Sequence, residues 1–145
     1  MILFSSEIEF EFKNRIKMNK LIIDASSDKI FLMIISNGSI YNITHENTKI
    51  NCEKLTIIIN DFILSKNIKI TDISAIYINQ GSGSFAGIRN SMSVIKAFKV
   101  AKNIDYYCYN LQDFKDEKDL THENIPYLCK KFKIKKNLIN PVYLS

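Results

Sequence analysis

Three apolar runs of strand length follow in close succession: "LIIDAS" from Leu21, "IFLMIIS" from Ile30 and "SIYNIT" from Ser39. Ser27-Asp28-Lys29 separates the first two, and Asn37-Gly38 the second pair. Asn-Gly tolerates the positive φ values of a type I′ turn, the strongest short-range hairpin signal. Strands joined by links this short can only pair antiparallel, so the chain opens with a three-stranded meander. Downstream, a helix is predicted from about Asn51 to Ser65. A buried strand, "DISAIYINQ", a second helix from Ile88 to Lys102 and a further strand, "IDYYCYN", come next. A meander followed by strand-helix-strand implies an α/β sandwich around a mixed sheet, in the order β-β-β-α-β-α-β. Beyond Asn110 the periodicity weakens. One or two short helices interrupted near Pro126 are expected there, then an extended "NPVYLS" tail, with no internal repeat and no second core.

At 145 residues and 46% hydrophobic composition, one domain can bury a substantial core without disulfide or metal staples. Cys52, Cys108 and Cys129 are odd in number, widely spaced and never Cys-x-x-Cys, which reads as reduced, mostly buried thiols. No apolar run reaches the ~18 residues of a membrane span, and the N-terminus lacks signal-peptide order. A soluble cytoplasmic chain with no membrane contact is expected. From Glu7 to Met18 charged and apolar residues alternate; residues 1–17 read either as an edge-pairing strand or as a leader preceding a second start at Met18. The formal charge of +5 is concentrated in "KKFKIKK", Lys130 to Lys136. Such a cluster neutralises phosphates or simply forms a solvated surface.

Three of the four glycines fall in "NQGSGSFAGIRN", residues 79 to 90. A Walker loop needs lysine directly after its last glycine, where Ile88 stands. The dinucleotide fingerprint needs Gly-x-Gly-x-x-Gly, and Gly81, Gly83 and Gly87 carry one residue too many. A nucleophile elbow would need glycines where Ser82 and Ala86 flank Ser84. What remains is a structural loop of Gly81, Gly83, Ser84, Phe85 and Gly87: the glycines permit dihedrals closed to other residues, and Ser84 caps the following helix. Arg89 then lies near the positive end of a helix dipole. A carboxylate of this chain, a partner's carboxylate or a nucleotide phosphate would offset that.

On the first helix Leu55, Ile58, Ile59, Phe62 and Ile63 make a core stripe. Ile57 and Leu64, seven residues apart beside Asn60 and Asp61, begin a second stripe on the opposite side. The second helix carries Val94, Ala97, Phe98 and Ala101 on one flank and Ile88, Met92 and Ile95 on another. In a two-layer domain one flank would suffice. Either the C-terminal region folds back over the surplus or a partner docks there.

"GSGSFAGIR" resembles the Gly-x-Gly-Ser-Phe-Thr-Gly-x-Arg signature of the bacterial TsaB (YeaZ-type) proteins, catalytically silent relatives of the TsaD threonylcarbamoyltransferase. "LIIDASSDKIFLMI" resembles the opening Ile-Asp-Thr hairpin of that family, "NCEKLTIIINDFIL" its His-Ser-Glu-x-Leu-Leu-Pro-x-Ile helix, and "NPVYLS" its Pro-x-Tyr-Leu-Arg tail. The resemblance covers about 18–110 plus the tail. Ala86, Asn51, Cys52 and Ser145 depart from the family's threonine, histidine, serine and arginine. It implies a single actin-like (RNase H-like) lobe over residues 18–112, with 113–145 a short remnant where most of a second lobe is missing.

Family resemblance further implies a non-catalytic scaffold with no cofactor of its own. It would bind a TsaD-type transferase through Ile57, Asp61, Leu64, Arg89, Met92 and Ile95, and support threonylcarbamoyladenosine modification of tRNA. ATP and a metal belong to the partner complex, tRNA is reached mainly through it, and a TsaE-type ATPase is a further partner. The same helices offer a homodimer contact. The alternative is a small nucleotide-binding protein or hydrolase using Asp24, Gly81, Gly83 and Ser84. His45 and His122, far apart in sequence, read as surface residues rather than metal ligands, and Asp24 as a turn-stabilising residue.

Overall fold

The computed structural model describes residues 18–141. The alternating segment 1–17 and the end of the predicted tail, 142–145, lie outside the described residues. β1 (Asn19–Asp24), β2 (Lys29–Ser36) and β3 (Ser39–Glu46) form the meander. Asn37 and Gly38 have φ of 47° and 86°, both positive as a type I′ turn requires. Helices α1 (Lys49–Glu53) and α2 (Leu55–Ser65) cross to β4 (Ile73–Asn79), and α3 (Phe85–Lys102) crosses to β5 (Asp105–Tyr109). β1 pairs parallel with β4, and β4 with β5, giving the order β3-β2-β1-β4-β5. The expected mixed α/β sheet is present.

Two helix boundaries differ from expectation for local reasons. Thr48 accepts a hydrogen bond from Asn51 N at 3.1 Å and so starts the first helix earlier, at Lys49, while Lys54 interrupts it. Ser84 Oγ accepts from Gly87 N at 3.3 Å, which places the start of α3 at Phe85 rather than Ile88.

The sheet is covered on both faces. On one, Leu21, Ile23, Leu32, Ile34, Ile76 and Ile78 meet the buried sides of α2 and α3. On the other, Ile22, Met33, Tyr77 and Tyr109 meet Phe114 and the residues Ile125, Leu128 and Cys129 of α4 (Ile125–Lys131). The expectation of no second core is therefore corrected: the weakly periodic C-terminal stretch builds a second apolar cluster. Its partners are spread over four strands, which is why no local pattern revealed it. This stretch lies across the sheet from α2 and α3, not folded over their outer flank.

Cys52, Cys108 and Cys129 are free and buried, as their spacing predicts. Burial pushes the Cys108 and Cys129 thiols up to about 12, so both stay protonated near neutrality. No helix among the described residues is long and apolar enough to cross a membrane.

Candidate functional site

In open α/β sheets, sites form outside the carboxyl ends of the strands where chain direction switches. Here that place is the end of β1, which has an antiparallel neighbour on one side and a parallel one on the other. Asp24 closes β1 and Asn79 closes β4. Asp24 Oδ1 accepts from Ser26 N at 3.1 Å and Ser26 Oγ at 2.6 Å. Its Oδ2 accepts from Asn79 Nδ2 at 3.3 Å and lies 3.0 Å from His122 Nε2. His122 is held by stacking on Phe31, ring centroids 4.1 Å apart. A carboxylate offers about four lone-pair directions, and all four are engaged. These bonds tie the carboxylate to the β1–β2 turn, to β4 and to the C-terminal layer.

Burial pushes the Asp24 carboxyl up, but hydrogen bonds from His122, Ser26 and Asn79 outweigh it and hold the group below its ordinary 3.8. A depressed carboxyl stabilises the fold above its unfolded value, and that contribution is lost as pH falls through the folded value. Asp24→Asn should therefore cost about 1–3 kcal/mol at neutral pH by mispairing these donors. In urea titrations the gap between wild type and variant should narrow below about pH 4. A gap that is constant with pH would assign the loss to packing alone.

The glycine loop runs from the end of β4 to the start of α3, pressed against the β1–β2 turn. A Cβ on Gly83 would meet Ser26 O at 2.3 Å, and one on Gly87 would meet Ala25 O at 1.9 Å. Gly81 has a φ of 137°, open to glycine alone. Gly81 N donates to Asn79 Oδ1 at 2.9 Å, Ser84 N to Ser26 O at 2.9 Å and Gly87 N to Ser84 Oγ. Three of the loop's amides are thus turned onto the protein itself. From the other side Asn47 Nδ2 donates to Ala25 O at 3.0 Å and Ser27 O at 2.6 Å, so the turn is gripped by the loop and by Asn47. Gly81 supplies a positive φ, Gly83 and Gly87 serve close backbone approach, Ser84 caps, and Phe85 begins the helix as an exposed ring.

The candidate surface residues divide. Ile57 and Leu64 are 59% and 52% exposed, with Asp61 exposed between them. Ile50 of α1 continues the seven-residue spacing at 62%. Arg89 is exposed, its guanidinium lies 5.8 Å from the centre of the Phe85 ring, and it forms no ion pair with a carboxylate among the described residues. Met92 and Ile95 are corrected: at 5% and 0% exposure they belong to the domain's own core. α3 lies on the sheet and against α2 at once, so Ile88, Met92 and Ile95 are buried together with Val94, while Phe98 is half-buried and Ala97 and Ala101 are exposed.

His122 was read as a surface residue and is instead half-buried against Asp24. Its place is fixed by the C-terminal layer, 98 positions along the chain, and no local signal could have found it. Asn79 was findable, since it is a polar residue ending an apolar strand at the same level as Asp24. His45 lies on β3 opposite Ile30, away from His122. Among the described residues no three histidine, cysteine or acidic side chains gather to hold a metal.

No protein-family model matches the sequence, and no curated protein matches it. Solved structures do match by shape. YeaZ from Pseudomonas aeruginosa superposes with a TM-score of 0.59 at 16% identity, over 63% of this chain and 43% of that one. A second Pseudomonas aeruginosa structure, described as an uncharacterized protein with similarity to peptidase YEAZ, gives the same values. RuvC from Thermus thermophilus, in complex with a Holliday junction substrate, superposes with a TM-score of 0.50 at 8% identity, over 85% of this chain and 83% of that one. The matched region spans less than half of the YeaZ chain. At these identities the likeness is one of architecture, and the architecture is the RNase H-like, actin-like fold that the glycine signature implied.

Proposed function

We propose that this chain is a non-catalytic, cytoplasmic scaffold subunit that binds a TsaD-type transferase and supports threonylcarbamoyladenosine modification of tRNA. The observation that carries the reading is the exposed apolar pair Ile57 and Leu64 on α2, with Asp61 exposed between them. Burying each such side chain contributes about 1.5–3 kcal/mol, and the chain's own C-terminal layer packs on the opposite side of the sheet. Arg89, on the neighbouring helix, adds a cation suited to a partner carboxylate. ATP, metal and most tRNA contacts would belong to the partner, with a TsaE-type ATPase joining the complex. In the absence of partners the same surface would pair two copies. The filled coordination of Asp24 weighs against a nucleotide hydrolase.

Coexpression with the cognate transferase should yield a heterodimer on size exclusion. Ile57→Asp combined with Leu64→Asp should abolish it while leaving the melting temperature within a few degrees, because both positions are exposed. A heterodimer that survives the double change would remove this surface from the reading. Robust ATP or GTP turnover by the isolated chain, lost on changing Asp24, would favour the hydrolase.

A further inference from the structure

The C-terminal layer leaves a cleft of about 410 Å³ over β4 and β5, outside the Asp24 site and on the opposite side of the sheet from Ile57 and Leu64. Tyr77 and Tyr107 are paired across these two strands and form its aromatic wall, their rings stacked at 5.0 Å and 11°. Lys20 reaches it from β1, Lys130 from the end of α4, and Lys133 from the turn beyond, where its backbone takes a φ of 53°. Among the described residues no carboxylate lines the cleft. Nearby cations are neutralised, Lys131 by Glu117 and Lys136 by Asp105, whereas Lys20, Lys130 and Lys133 take part in no ion pair among the described residues. Two of the three belong to the lysine cluster that the scaffold reading leaves without a role.

Three lysines with no ion-pair partner among the described residues line one cleft, which suits it to an anion. Phosphates answer to clustered lysines, and nucleobases to tyrosine rings. A cavity of this size sits at the small end of the range for single small ligands and has no room for a duplex. We propose that the Tyr77–Tyr107 cleft binds one nucleotide unit, its base against the half-buried Tyr107 ring that the buried Tyr77 backs and its phosphate among Lys20, Lys130 and Lys133. The unit is either part of a single-stranded RNA or a free mononucleotide. The inference does not rest on the assembly proposed above, because the cleft is complete within one chain.

The test is fluorescence anisotropy of a short fluorescein-labelled single-stranded RNA with the purified full chain, alongside AMP as competitor and a duplex RNA of equal length. The single strand should bind with a shallow log–log salt slope of about −0.7, as neutralising one phosphate of a single strand gives. Lys130→Glu with Lys133→Glu should weaken binding about tenfold or more and flatten the slope. Lys54→Glu with Lys96→Glu, the same charge change elsewhere, should weaken it about twofold or less. Tyr107→Leu should weaken it several-fold at unchanged slope. Strong displacement by AMP identifies a free mononucleotide as the ligand, and weak displacement identifies RNA. Should RNA fail to bind, calorimetric AMP binding abolished by the double change at Lys130 and Lys133 still supports the cleft. The proposal is overturned by no binding of RNA or AMP, by duplex and single strand binding equally, or by equal losses in the two double variants.

Discussion

Gly87→Ala is expected to lower the melting temperature of the domain by roughly 6–12 °C, a loss of about 3 kcal/mol. A methyl group at that position would lie 1.9 Å from Ala25 O and 2.9 Å from Asn47 Nδ2. The first obstacle is backbone that already accepts a hydrogen bond from Asn47, so it cannot retreat without breaking the grip on the β1–β2 turn. Gly83→Ala meets the same turn at Ser26 O, 2.3 Å away, and should cost a comparable amount. Gly38→Ala supplies the contrast. Nothing lies within 4 Å of its added Cβ, so only the positive φ is penalised, at about 1 kcal/mol. Circular dichroism melts of the three variants check the order. Equal losses at all three would show that backbone conformation, and not crowding against the turn, explains the glycines.

Phe114→Ala is expected to destabilise by about 3–5 kcal/mol. The ring is 1% exposed and packs between Tyr109 at 5.7 Å and Phe132 at 5.6 Å. Its removal leaves a cavity at the junction of sheet and C-terminal layer. Truncation after Gln112 goes further, deleting Phe114, Ile125, Leu128 and Cys129 together and turning Ile22, Met33, Tyr77 and Tyr109 toward water. That shortened chain should give no soluble monomer, as judged by size exclusion and dye binding to exposed apolar surface. A cooperatively melting monomer of residues 18–112 would mean that the C-terminal stretch is an accessory to the lobe.

What was legible in the sequence follows the range of the forces involved. The Asn37-Gly38 turn, the Ser84 cap and the core stripe of α2 are set by neighbours a few residues away, and each was readable as such. Gly87 lies inside a helix, where glycine ordinarily counts against helix; a contact with a turn more than sixty residues earlier explains it, and the predicted helix start was displaced accordingly. Met92 and Ile95 were misassigned because a helix touching both a sheet and another helix buries more of its circumference than a two-layer picture allows. The covered second face did leave a trace: "LII" and "FLMII" are continuous rather than alternating, the mark of strands buried on both sides. β3, with its alternating burial, shows what a strand on a half-open sheet looks like by comparison.

The contact between His122 and Asp24 ties the first strand to the last layer, and thermodynamic reciprocity follows. Whatever takes the carboxylate, a proton or a cation, must compete with the imidazole for it and so loosens the cover it helps to fasten. Conversely, any ligand that tightens that cover makes the acid harder to protonate. Occupancy on one side of the sheet is thereby readable as acidity at its edge.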